Sequence, residues 1–145
     1  MVAYKITLEP DSNETFLVAC PDLPGVNTFG DTREDAAHHA VDAIETWIAS
    51  LIGDGLAVPR PKAPGKLKAN EMMVMLPPLA AMKIELYWAL QKSGITRAEL
   101  MRRLKWNRES IDRLFRLDHR SRFDQLEQAF AALDRRVDVR ILEMV

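Results

Sequence analysis

Cysteine and long apolar runs are scarce in this chain of 145 residues. The one cysteine, Cys20, can neither close an intramolecular disulfide nor begin a paired-cysteine zinc site, so we expect a small buried apolar residue there. No apolar run exceeds five residues, as in Phe16–Cys20, whereas a membrane-spanning helix needs about 20. The N-terminus also lacks a signal-peptide pattern. These absences predict a soluble protein of the cytoplasm without a disulfide framework.

Histidines are also few, and their spacing does not favour catalysis or metal binding. His38 and His39 are adjacent, so on a helix they point in different directions, unlike the i, i+4 pair that binds zinc. His119 is expected to have a structural role in a loop between helices. Because no glycine-rich phosphate loop or nucleophile motif is present, we predict no catalytic residue, no metal and no cofactor.

Charge is distributed unevenly, although the formal net charge is only -1. Residues 1–70 hold ten acidic and six basic residues, whereas residues 71–145 hold eleven acidic and fourteen basic ones. The basic excess is concentrated between Lys92 and Arg122, with ten Lys or Arg and four Asp or Glu. Such a surplus suits a polyanionic partner.

Proline and glycine mark the organisation of the chain. A helix is expected to end near Gly53, and the proline-rich stretch Pro59–Lys66 is expected to be an extended internal loop. Pro77-Pro78 follows a short apolar run, so we place a domain boundary there. The expected domains are residues 1–78 and residues 79–145.

The first domain is predicted to be a small β-sheet with one helix across a face, which is an α+β arrangement. Apolar residues alternate with polar ones from Tyr4 to Leu8, as in a half-buried strand, and Thr32 can cap the helix. The further strands are expected at Phe16–Cys20, Val26–Phe29 and Met72–Leu76, and the inward residues of the helix at Ala37, Val41, Ile44, Ile48 and Leu51.

The second domain is predicted to be all-helical. Its first helix ends at Ser93-Gly94, Thr96 begins the next, and the tripeptide Lys105–Asn107 separates that helix from a third. Two short helices joined by a tight turn indicate a helix-turn-helix. The expected inward residues of the last three helices are Ala98, Met101 and Leu104, then Ile111, Leu114 and Phe115, then Phe123, Leu126, Phe130 and Leu133.

The stretch LKWNRESIDRLF, Leu104–Phe115, is interpreted as the recognition helix with its preceding turn. Asn107 is a good N-cap, and Trp106 is expected to anchor the turn in the core. The charged face could enter the major groove, with arginines on guanine or phosphate and a glutamate on cytosine. A solvated face of an ordinary helical bundle is the alternative. The candidate DNA-binding residues are Arg97, Arg102, Arg103, Lys105, Asn107, Arg108, Glu109, Arg113 and Arg116.

Motifs in both domains resemble the HicB-type antitoxins of toxin-antitoxin systems. PDLPG at Pro21–Gly25, GDT at Gly30–Thr32 and an alanine-rich helix with Trp47 are similar to the N-terminal domain of that family. GITRAELMRRL at Gly94–Leu104 and LDHRSRFDQLEQAFAAL at Leu117–Leu133 resemble the C-terminal helix-turn-helix of one branch. The sequence departs from the family where Glu14, Thr15 and Lys105 stand in place of frequent glycines and Val26 in place of cysteine. Lys105 therefore raises the question of the turn's geometry.

The resemblance implies a reduced ribonuclease H-like sheet and two functions. Antitoxins of this family bind HicA toxins, which are small basic ribonucleases that cleave mRNA, and repress their own operon through the DNA-binding domain. The acidic first domain fits the toxin, with Glu9, Asp11, Asp22 and Asp31 as candidate contacts. A metal nuclease would need several carboxylates around paired metal ions, and the sequence offers chiefly Glu9, Asp22 and Asp31.

The predicted helix-turn-helix also bears on the oligomeric state. Because a helix-turn-helix dimer reads a palindrome, we expect a homodimer or a higher oligomer. The alternating tail Val137–Leu142 is a candidate terminal strand that pairs with another subunit.

The alternative function is a plain helix-turn-helix repressor whose first domain senses a small ligand. A small basic reading frame beside the gene would favour the antitoxin.

Overall fold

The structure, a computed structural model, describes residues 2–144. The chain divides into two compact units, residues 1–81 and residues 82–145. The assignment of separate functions to residues 1–78 and 79–145 stays a prediction.

The N-terminal unit contains a four-stranded sheet, and its all-antiparallel pairing confirms the expected α+β fold. The strand order is β3-β2-β1-β4. Tyr4, Ile6 and Leu8 are buried and alternate with more accessible residues, so one face of β1 lies in the core. The strands are β1 at Ala3–Pro10, β2 at Phe16–Ala19, β3 at Asn27–Gly30 and β4 at Glu71–Met75.

Helix α1, Arg33–Gly53, packs on the buried face of this sheet. Its start is as expected, because the Thr32 side chain accepts a hydrogen bond from the Asp35 N–H at 3.0 Å. The predicted inward stripe was partly wrong, since Ala37, Val41 and Leu51 are only half-buried. The buried residues of the helix are Ala36, Ala40, Ile44, Ile48 and Ile52.

Two other features of the N-terminal unit bear on the expectations. Cys20 is buried with a free thiol, and burial is the main reason that its pKa is raised. Glu14 adopts a left-handed backbone with φ of 60° in the β1–β2 hairpin. The turn therefore keeps a glycine-like conformation without glycine.

The C-terminal unit is helical. Leu100 is buried, whereas Ala98, which was expected to face inward, is exposed, and Met101 and Leu104 are only half-buried. Phe123 was also expected inward and is about half exposed. The helices are α2 at Pro78–Ser93, which begins just before this unit, α3 at Arg97–Leu104, α4 at Arg108–Leu114 and α5 at Phe123–Ala132.

The tail after α5 differs from the expected strand. In the single chain, residues 135–144 form neither helix nor strand. A strand needs a partner for its backbone N–H and C=O groups, and this isolated segment has no strand partner. Its pairing with a second subunit stays a prediction.

Candidate functional site

The outer face of the N-terminal sheet carries exposed apolar side chains. Along this face, Glu9, Leu17 and Phe29 lie side by side on β1, β2 and β3. Leu17 is 48% exposed, Phe29 57% and Met75 56%. An open depression beside this row is lined by Asp11, Asn13, Thr15, Leu17, Asn27, Thr28 and Phe29. Exposed apolar residues grouped beside polar ones are typical of a protein-binding surface.

Three of the four candidate toxin contacts gather at one end of this sheet. Pro10, Phe16 and Gly30 form its last paired row, and Asp11 and Asp31 directly follow β1 and β3. Glu9 lies one residue before that row. The structure therefore brings three carboxylates to the same end as Leu17 and Phe29.

The fourth candidate, Asp22, lies beyond the opposite end of β2. Its side chain is largely buried and accepts a hydrogen bond from the Lys62 N–H at 3.0 Å. Asp22 thus holds the proline-rich loop in place, and it does not join the other three carboxylates. No group of three metal-ligating residues that could hold an ion occurs within residues 2–144. The carboxylates Glu9, Asp22 and Asp31 consequently do not form the convergent set that a two-metal nuclease requires.

The turn between α3 and α4 answers the question that Lys105 raised. Lys105 has φ of 59° and ψ of 38°, the left-handed conformation, and its N–H donates to the Met101 carbonyl. A lysine therefore occupies the C-cap where glycine is common, at a cost of roughly 1 kcal/mol. Asn107 then caps α4 by accepting from the Ser110 N–H at 2.8 Å. Trp106 is only partly buried.

Arg97 links α3 to α4 and is the least available of the candidate DNA contacts. Its Nη1 donates to Asp112 Oδ1 at 2.9 Å, and its guanidinium lies 4.7 Å from the centre of the Phe115 ring. Phe115 in turn makes an edge-to-face contact with Tyr87 of α2. Arg97 is therefore committed to helix packing.

The other arginines of the candidate surface reach solvent, and each is paired with a carboxylate. Arg102 and Arg103 both donate to Glu99, which lowers the pKa of that carboxyl, with the hydrogen bond from Arg102 as the largest cause. The remaining ion pairs are Arg108 with Asp112, Arg113 with Glu109 and Arg116 with Asp118. Exposed pairs of this kind are weak, so the carboxylates do little to fix the positions of these side chains.

Sequence reasoning missed Leu17 and Phe29 as surface residues. Both were assigned to strands, but a short apolar strand does not reveal which face is covered. The period of two was the available signal, because Val18 is buried while Leu17 on the other face is not.

His38 and His39 are exposed on α1, and His39 Nδ1 makes a hydrogen bond with the Phe29 carbonyl.

Comparison with known proteins identifies relatives along nearly the whole chain. A family model described as the HicB_like antitoxin of bacterial toxin-antitoxin systems matches residues 3–85. Antitoxin HicB of Pseudomonas fluorescens is 33% identical over 137 residues, which cover 94% of this chain and 92% of the relative. Antitoxin HicB of Escherichia coli K12 is 30% identical over 136 residues, with coverage of 94% and 96%. The crystal structure of the N-terminal domain of Burkholderia pseudomallei antitoxin HicB has 25% identity and a TM-score of 0.45, and the match covers 52% of this chain and 99% of that one. No helix within residues 2–144 is long and apolar enough to span a membrane.

Proposed function

The chain belongs to the HicB-like antitoxin family of bacterial toxin-antitoxin systems, and we propose that it neutralises a small basic HicA-type toxin and represses its own operon. Residues 1–78 bind the toxin, and residues 79–145 bind operator DNA through the helix-turn-helix. The protein then works in the cytoplasm, where mRNA and operator are found. It has no catalytic role of its own, in keeping with relatives that are named as antitoxins.

The observation that carries the toxin proposal is the row of Glu9, Leu17 and Phe29 with the acidic end of the sheet beside it. Exposed apolar side chains supply the centre of a protein interface, and Glu9, Asp11 and Asp31 supply negative charge at its rim. A basic RNA-binding protein is complementary to such a surface, and the opposite charges speed its capture. Occupation of the toxin's basic surface would exclude mRNA from it.

The DNA proposal is supported by the geometry of α3 and α4. Lys105 and Asn107 form the tight turn between them, and α4 presents Arg108, Glu109 and Arg113 on its accessible side. The basic surplus between Lys92 and Arg122 favours a polyanion. Arg97 and Asn107 act in this scheme through the position of the helices, because their side chains are used in packing and capping.

Two arginine variants separate base reading from phosphate contact. Arg113→Ala is expected to weaken binding to the promoter-proximal operator by about 1–3 kcal/mol and to relax the sequence preference. Arg103→Ala is expected to weaken binding to all sequences alike and to flatten the salt dependence. Gel shifts with operator and scrambled DNA at several salt concentrations measure both effects. Unchanged affinity in both variants would remove the helix-turn-helix assignment.

The proposed operator complex needs two copies of the chain, and the apolar tail is our candidate for the contact between them. Val139, Ile141 and Leu142 are exposed in the single chain, and a second copy would cover them. Val139→Asp combined with Ile141→Asp is therefore expected to convert a dimer into a monomer. Sedimentation equilibrium of the full-length protein and of the variant measures this, and a variant that keeps the dimer mass would refute the contact.

A further inference from the structure

Lys83 on α2 is the one charged residue that is fully buried among residues 2–144. Its exposed fraction is 0%. Lysine is almost never fully buried unless its ammonium is paired, because removing the charge from water is costly. The position therefore demands a specific set of partners.

The ammonium of Lys83 finds three acceptors in and after α4. It donates to the Arg113 carbonyl at 2.7 Å, to the Arg116 carbonyl at 2.7 Å and to Ser121 Oγ at 2.8 Å. An ammonium has three N–H donors, so every donor is used. Hydrogen bonds to a charged donor are also stronger than neutral ones.

These acceptors lie where α4 most needs support. The helix is only seven residues long, too short to be stable by itself, and its last carbonyls lack partners within the helix. Asn107 caps the opposite end. A buried cation at the C-terminal end complements the helix dipole and ties the end of α4, with the loop that follows, to α2.

We propose that Lys83 is a positioning residue for DNA recognition, whose buried ammonium fixes the C-terminal end of α4 and thereby the placement of Arg113 and Arg116. This inference rests on the proposed DNA-binding function. Lys83 itself does not touch DNA, because it has no exposed surface. It acts through the backbone of the two arginines that it binds.

The protonation state of Lys83 gives the inference a measurable signature. Burial lowers the pKa of this lysine to about 8, with Asp118 raising it and Arg116 lowering it further. A neutral amine has two N–H donors, so deprotonation removes one of the three bonds that hold α4. If α4 binds DNA more tightly when all three hydrogen bonds from Lys83 are present, DNA binding favours the protonated lysine. Operator affinity is then expected to fall as pH rises through about 8.

The test compares Lys83→Met with Lys66→Met, the same substitution at an exposed position of the N-terminal unit, outside the basic segment. Operator affinity of each full-length protein is measured at pH 7 and pH 9. For the wild type and Lys66→Met we expect a decrease of roughly fivefold between these values. Lys83→Met is expected to bind about tenfold more weakly at pH 7 and to show no such decrease. A folded Lys83→Met protein with wild-type affinity and pH dependence would overturn the inference.

Two further measurements keep the test decisive. If Lys83→Met does not fold, Ser121→Ala removes a single acceptor, and an unchanged operator affinity in that variant would count against the inference. Amide hydrogen exchange without DNA is the second measurement, and we expect faster exchange in α4 of Lys83→Met than of Lys66→Met. The two proposals fail on different results. If the wild type does not bind the operator, the DNA-binding proposal is wrong. If the two methionine variants exchange at equal rates in α4, Lys83 does not position α4.

Discussion

Replacing Gly30 by alanine is expected to lower the free energy of unfolding of the N-terminal unit by about 3 kcal/mol, the upper range for overpacking a core. Gly30 is buried at the end of β3, where α1 crosses the sheet. An added Cβ would lie 2.3 Å from the Ala36 backbone N and 2.5 Å from its Cα. Because these atoms belong to the backbone of α1, no side-chain movement can relieve the overlap.

Gly53→Ala is the matched control for Gly30→Ala. Gly53 ends α1, and a Cβ built there meets nothing within 4 Å. Alanine is therefore expected to leave stability unchanged or to raise it by about 0.5–1 kcal/mol. Urea unfolding, followed by circular dichroism and by hydrogen exchange in β1, compares the two variants. Equal free energies of unfolding for Gly30→Ala and Gly53→Ala would show that α1 and β3 are not in close contact at Gly30.

Phe29→Asp is expected to raise the dissociation constant of the complex with the toxin encoded beside the gene by roughly 30-fold or more. This corresponds to about 2 kcal/mol or more, as for an interface hot spot. The substitution removes an exposed apolar side chain from the proposed centre of the interface. A carboxylate there would also lose its water and, among apolar side chains, gain no hydrogen-bond partner when the toxin covers it. The dissociation constant of the purified pair, obtained by calorimetry, gives the size of the effect.

Met75→Asp controls for the general cost of a charge on the same face. Met75 is as exposed as Phe29 but lies on β4, at the other edge of the sheet. We expect its toxin affinity to stay within about threefold of the wild type, as for a surface change outside the hot spot. Equal losses in the two variants, or none in either, would place the toxin surface elsewhere.

Much of the fold was predictable because its signals are local. Thr32 before two acidic residues gave the start of α1, and alternation from Tyr4 to Leu8 gave β1. The buried stripe of α1 was less certain, since apolar residues occur at both Ala36 and Ala37 and at both Leu51 and Ile52. Either choice keeps helical spacing. Only the packing against the sheet selects Ala36 and Ile52 for burial.

The sites were less predictable, because they depend on contacts between distant residues. Asp22 has the same charge as Asp31, but its bond to the backbone of Lys62 spans 40 positions in the sequence. Similarly, the sequence around Arg97 does not distinguish it from the neighbouring arginines. Its role in helix packing is evident only from its contacts with Phe115 and Asp112. Lys83 lies in an apolar helix, and this was the one available hint that its side chain is buried.

The central claim is that one chain neutralises a toxin and binds its operator through two separate surfaces. The most direct measurement is growth of cells that express the neighbouring toxin together with full-length wild type, Phe29→Asp or Arg113→Ala, combined with gel shifts of the same proteins. We predict that the wild type and Arg113→Ala restore growth and Phe29→Asp does not, whereas Phe29→Asp binds the operator and Arg113→Ala binds it weakly. No rescue by the wild type, or loss of both activities in each variant, would contradict the account.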